Sequence, residues 1–119
     1  MNETILVVDD EMDFLDSVKR GLISAGIRDI RAESDPRVAA SSVQQGDRYA
    51  VALIDITMPW LNGVQLLEII KVACPDTECI MVTAVNDART AVECLQKGAY
   101  DYLTKPVSRD ELVSKIRRA

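Results

Sequence analysis

Five short runs of β-branched and other apolar residues alternate with five stretches whose apolar residues recur at helical spacing. No other feature of the chain constrains its fold as strongly. Ile5–Val8 is the first run and reads as a buried strand. Phe14, Leu15, Val18 and Leu22 then fall on one helical face, and Gly26 closes that helix. Residues 27–32 predict a second, weaker strand. Asp35 and Pro36 place an N-cap just ahead of a proline at the first helical position, opening a helix that runs to Gln45. Residues 49–54 predict the third strand. Leu66, Leu67 and Ile70 mark a helix over 63–73 that Pro75 stops. Residues 78–82 predict a fourth strand, and Asn86 an N-cap for a helix with Ala88, Ala91, Val92 and Leu95 on one stripe, ending at Gly98. Residues 99–103 predict the last strand. Ser108 and Glu111 spell a capping box for a final helix that buries Leu112, Val113 and Ile116.

Alternation of this kind implies a parallel sheet covered by helices on both faces, because parallel strands need crossover connections. Right-handed crossovers put the C-terminal ends of all strands on one edge, and ligands of open α/β sheets bind outside that edge. The expectation is one doubly wound α/β domain over residues 1–119, of ordinary globular composition with 48% hydrophobic and 28% charged residues. A net charge of −5 leaves no basic stripe for phosphates, so direct nucleic-acid binding is not expected. The apolar runs are too short to span a bilayer, and the N-terminus has no signal-peptide pattern, which points to a cytoplasmic chain. Cys74, Cys79 and Cys94 lack metal-ligand spacing and read as reduced thiols. The chain has no histidine, which removes Ser-His-Asp and Cys-His catalysis and imidazole metal sites together.

The strand ends then carry the chemistry. The first offers Asp9 and Asp10, the third Asp55, the fourth Thr83 and the fifth Lys105. Each alone is an ordinary strand-end residue; all five at ends that should converge are not. Crowded aspartates without histidine suit Mg²⁺, a hard cation bound by oxygen, which would offset their repulsion. Lys105 would bring a mobile point charge and Thr83 a hydroxyl to phosphoryl oxygens, and phosphoryl transfer needs mainly positioning and neutralisation. No G-x-x-x-x-G-K-[ST] or G-x-G-x-x-G loop supports nucleotide binding.

Asp9-Asp10, Asp55, Thr83-Ala84 and Lys105-Pro106, with "DITMPWLNG" after the third strand and "AVECLQKGAYDYLTKP" near the end, resemble the receiver domain of bacterial two-component response regulators across the whole chain. The resemblance implies a flavodoxin-like, five-stranded parallel sheet of order 2-1-3-4-5 with five helices. It implies that Asp55 accepts a phosphoryl group from a phosphohistidine of a histidine kinase or phosphotransfer protein. It places Mg²⁺ on Asp10 directly, on Asp9 through water, on Asp55 and on the Thr57 carbonyl. Thr83, the Ala84 amide and Lys105 would meet the phosphoryl oxygens, and the Lys105–Pro106 bond would be cis. Tyr102 would turn inward with Thr83 and change the surface of the fourth helix, fifth strand and fifth helix, which could also form a homodimer. Such a domain is a signalling module rather than an enzyme, although it assists its own phosphorylation and dephosphorylation. The segment ending at Pro106 is similar to those leading transcription activators, and two readings stand side by side: a free-standing receiver, or one followed by an output domain beyond residue 119.

Thr57 and Val85 offer no carboxylate or amide to orient an attacking water, which implies slow loss of the phosphoryl group. Trp60, the single tryptophan, belongs to the active-site loop and should report binding by fluorescence. Glu11 reads as the start of the first helix, where a carboxylate suits the dipole. The best alternative is a haloacid-dehalogenase-type phosphatase, which uses a similar fold but a second aspartate where this chain has Thr57. A flavodoxin-like cofactor binder is weaker, since acidic strand ends would repel a flavin phosphate.

Overall fold

Leu6 and Val8 point to one side of the first strand and Ile5 and Val7 to the other, and all four are buried, so this strand requires cover on both faces. The computed structural model describes residues 3–84 and 87–119 and supplies that cover. Its strands are β1 (Ile5–Val8), β2 (Ile30–Glu33), β3 (Val51–Asp55), β4 (Glu78–Thr83) and β5 (Asp101–Thr104). They alternate with α1 (Met12–Ser24), α2 (Pro36–Gln44), α3 (Gly63–Ala73), α4 (Ala88–Gln96) and α5 (Arg109–Arg118). The sheet has five parallel strands in the order β2-β1-β3-β4-β5, the expected topology.

The strand period of two divides the core between the faces. Ile5, Val7, Val51, Leu53, Ile80, Val82 and Leu103 pack under Leu15, Val18 and Leu22 of α1 and Leu112, Val113 and Ile116 of α5. Leu6, Val8, Ala52, Ile54, Cys79 and Met81 pack on the opposite side under α2, α3 and Cys94 of α4. The chain leaves β1 toward β2 on one side and returns to β3 on the other. The tips of β1 and β3 therefore flank the point where the winding reverses, the crevice such sheets offer to ligands.

Element boundaries moved where local hydrogen bonds outcompeted strand pairing. β2 begins at Ile30 rather than 27, because the Ile27 N–H turns back to the Leu22 carbonyl at 2.9 Å after Gly26 adopts φ +88°. β5 begins at Asp101 because the Ala99 N–H closes the end of α4 on the Cys94 carbonyl at 3.0 Å. The N-cap of α4 is Asp87; Asn86 and Val85, singled out from the sequence, lie outside the described residues. At α5 half of the anticipated capping box forms, with Ser108 Oγ accepting from the Glu111 N–H at 3.1 Å. A complete box stands instead at α3, where Asn62 Oδ1 accepts from the Gln65 N–H at 2.9 Å and Gln65 Oε1 from the Asn62 N–H at 3.0 Å. Such a cap contributes about 1 kcal/mol and fixes the loop that leads out of Asp55.

Candidate functional site

Asp9 directly follows β1, its N–H donating to the Glu33 carbonyl at 3.2 Å, and its side chain is fully buried. Asp9 Oδ1 accepts from the Glu11 N–H at 2.8 Å, a local turn that swings the chain from β1 into α1. Asp9 Oδ2 lies 3.0 Å from Lys105 Nζ at an angle outside hydrogen-bond geometry, so this buried oxygen has an ionic neighbour but no hydrogen-bond donor among the described residues. Burial pushes the Asp9 carboxyl above its ordinary range, against the pull of the Glu11 N–H and Lys105.

Asp55 ends β3 and is 7% exposed. The next residue pins it in place, the Ile56 N–H donating to the Val82 carbonyl of β4 at 3.0 Å. Burial first, and the neighbouring Asp9 charge second, push the Asp55 carboxyl up to about 6, while Lys105 and the Thr57 N–H hold it down. The chain then doubles back, and the Gly63 N–H donates to the Ile56 carbonyl at 2.8 Å. A Cβ on Gly63 would sit 2.3 Å from the Asp55 carbonyl oxygen and 2.6 Å from Ile56 Cα, so a glycine is required at this close approach.

Lys105 follows β5, with its N–H on the Thr83 carbonyl at 2.9 Å and a cis bond to Pro106. Its ammonium stands 3.0 Å from Asp9, 3.1 Å from Glu11 and 3.8 Å from Asp55, and 4.4 Å from the centre of the Phe14 ring. Burial opposes the charge of Lys105, but the close carboxylates of Asp9, Glu11 and Asp55 outweigh it and raise its pKa. Three carboxylates, those of Asp9, Glu11 and Asp55, present oxygens within 4.8 Å of one another. Lys105 supplies a single positive charge against them. With hard oxygen donors, an orphaned buried oxygen and two carboxyls raised by burial, the set fits a hard divalent cation.

The strand-end residues converge, though not in the combination the sequence suggested. Asp9, Asp55 and Lys105 meet directly. Asp10 and Thr57 are exposed, and Asp10 stands outside the carboxylate triad, whose third member is Glu11. Thr83 is buried, but its hydroxyl donates within the loop after β4, to the Ala84 carbonyl at 3.2 Å and the Asp87 carbonyl at 3.3 Å. Ala84 is exposed. Tyr102 is half-buried, and its carbonyl accepts from Lys115 Nζ at 2.7 Å. Trp60 is 68% exposed at φ +67°, and the Arg37 guanidinium stacks 4.2 Å from its ring centre. Sequence reasoning missed the parts played by Glu11, Phe14 and Gly63. Glu11 is the N-cap of α1 and Phe14 its third residue, both within reach of Lys105, and no local spacing in the sequence signalled that meeting.

A doubly wound parallel sheet with two buried aspartates and a lysine at its switch point defines an α/β domain whose acidic site suits a hard cation. The family model for the response regulator receiver domain matches residues 5–117, and the chain belongs to that family. It is 38% identical over 116 residues to the DNA-binding transcriptional regulator NtrC of Rhizobium meliloti, covering 98% of this chain and 24% of the relative. It is 32% identical to the C4-dicarboxylate transport transcriptional regulatory protein DctD of the same organism, covering 98% of this chain and 25% of the relative. The chain thus spans about a quarter of the length of these relatives. Among solved structures, the receiver domain of NtrX from Brucella abortus superposes with a TM-score of 0.88 at 32% identity, covering 96% of this chain and 95% of that one. A CheY-like receiver domain from Methanospirillum hungatei superposes with a TM-score of 0.89 at 30% identity, covering 99% of this chain and 93% of that one. The phosphatase alternative finds no support in these matches.

Proposed function

We propose that this receiver domain takes a phosphoryl group from the phosphohistidine of a histidine kinase, or of a phosphotransfer protein, onto Asp55. The observation that carries the proposal is a nearly buried Asp55 carboxylate held 3.8 Å from Lys105 and beside Asp9 at the sheet's switch point. An ionised Asp55 oxygen attacks phosphorus in line as the phosphorus–nitrogen bond breaks. The electron pair stays on the imidazole nitrogen, which takes up a proton. Lys105 follows the charge onto the phosphoryl oxygens, and the Thr83 hydroxyl and Ala84 amide complete their surroundings. Mg²⁺ held by Asp9, Asp10, Asp55 and the Thr57 carbonyl would neutralise those oxygens and the crowded carboxylates. Asp55 must be ionised to attack, so without cation its reactivity falls as the pH drops through about 6.

Incubation with phosphoramidate and Mg²⁺ should add one phosphoryl group per chain by intact mass, with none on Asp55→Asn. Equal labelling of the variant would refute the acceptor assignment. Turnover of p-nitrophenyl phosphate, rather than a single stoichiometric label, would return the phosphatase reading.

Signalling follows if Thr83 exchanges its loop carbonyls for phosphoryl oxygens and Tyr102 turns into the space it vacates, a population shift between two arrangements. The surface so altered comprises α4, β5 and α5. It already exposes Val92, Leu95 and Tyr100, which suits pairing with a second copy or with an output domain beyond residue 119. Transcription regulation is the output that resemblance to NtrC and DctD supports. The net charge of −5 favours protein partners over nucleic acid for this domain. No helix among the described residues is long and apolar enough to cross a membrane. Tyr102→Ala should take the label at a near wild-type rate. Its α4–β5–α5 amides should then keep their unphosphorylated hydrogen-exchange rates, and a wild-type exchange change on phosphorylation would remove Tyr102 from the switch.

A further inference from the structure

Lys105 is closer to two carboxylates it need not touch for phosphoryl transfer than to the one it must serve. Its Nζ is 3.0 Å from Asp9 and 3.1 Å from Glu11, against 3.8 Å from Asp55. Of these contacts the one with Glu11 has hydrogen-bond geometry, and the Phe14 ring lies 4.4 Å away. Glu11 is the N-cap of α1 and Phe14 its third residue, and both reach Lys105. The Glu11 side chain makes no cap to its own helix, and two-thirds of it is exposed, so neither helix stability nor core packing accounts for its orientation. The same backbone turn that buries Asp9 aims Glu11 at the lysine.

We propose that Glu11 is a positioning residue that, with Phe14 beside it, holds the Lys105 ammonium back from Asp55 until phosphoryl oxygens replace it as the lysine's partner. The proposal rests on Asp55 being the acceptor. Phosphorylation then includes the breaking of the Glu11–Lys105 pair. An ion pair with one largely solvated member is easily broken, so the hold tunes the rate without blocking it.

Two variants test this. Glu11→Gln removes the charge at constant shape, and Glu11→Asp keeps the charge but withdraws it by one methylene, out of reach of Lys105. Both should accelerate labelling by phosphoramidate by about two- to five-fold, the size expected from losing one exposed pair. In cation-free protein, acylation of Lys105 by an N-hydroxysuccinimide acetate, read by peptide mass spectrometry against Lys97, should rise by a similar factor in both. In a Lys105→Ala background neither substitution should alter the residual labelling rate. Acceleration by Gln alone would reflect net charge near an anionic donor and overturn the proposal, as would unchanged Lys105 acylation in both variants. Wild-type protein that takes no label at all would instead overturn the acceptor reading, and the acylation ratio would still decide whether Glu11 holds the lysine.

Discussion

Asp55→Asn should raise the thermal stability of the cation-free domain at pH 7.5 and leave it unchanged near pH 3.5. The folded Asp55 titrates near 6, above the ordinary carboxyl value of 3.8, so the folded state binds this proton more tightly than the unfolded chain does. The stability linked to that proton is therefore complete below about 3.8 and lost as the pH rises through about 6. By neutral pH the ionised aspartate costs up to about 3 kcal/mol, since each tenfold gain in proton affinity on folding corresponds to about 1.4 kcal/mol. Asparagine has the same shape and no charge, so it recovers this amount, which for a domain of this size is about 10 °C in Tm. Excess Mg²⁺ should raise the wild-type Tm more than that of the variant and so narrow the gap. Melts at both pH values, with and without Mg²⁺, check this. A gap independent of pH would mean that burial of charge at Asp55 is not what destabilises the domain.

Gly63→Ala should cost about 3 kcal/mol or more and slow labelling of Asp55 by about ten- to a hundred-fold. The added methyl would meet the Asp55 carbonyl oxygen at 2.3 Å and Ile56 Cα at 2.6 Å. Both are backbone atoms at the end of a central strand, and no side-chain rotation can yield. Overpacking of this kind ordinarily costs about 1–3 kcal/mol, and a rigid backbone places it at the upper end. The rate loss arises because the only relief is a displacement of the acceptor itself, and a shift near 1 Å at a reacting group is enough for about a hundred-fold. Urea unfolding and phosphoramidate labelling at a temperature where the variant is folded separate the two effects. A variant that labelled normally would show that the loop yields without moving Asp55.

Much of the architecture was legible because the signals behind it are local. Short apolar runs, helical stripes and the Asp35–Pro36 N-cap each depend on neighbours in sequence, and they located the ten elements found among the described residues. At Ile27 and Ala99 the boundary moved because a helix end claimed backbone groups, and that competition depends on how a helix exits. The site was legible as a set of strand ends but not as a set of contacts. Asp10 and Glu11 are both carboxylates beside a strand terminus. Only the turn made by Asp9 Oδ1 decides that Glu11, rather than Asp10, reaches Lys105.

The sequence by itself determined the class of fold, the five residues at the tips of the strands and the kind of chemistry they suit, because period, cap and charge are properties of short segments. The strand order followed from family resemblance rather than from periodicity. Tertiary structure alone decided which oxygens crowd together, how far Asp55 is raised, where Lys105 rests and why residue 63 must be glycine. Each of these is set by distances between segments as many as 94 residues apart, and no local pattern carries them.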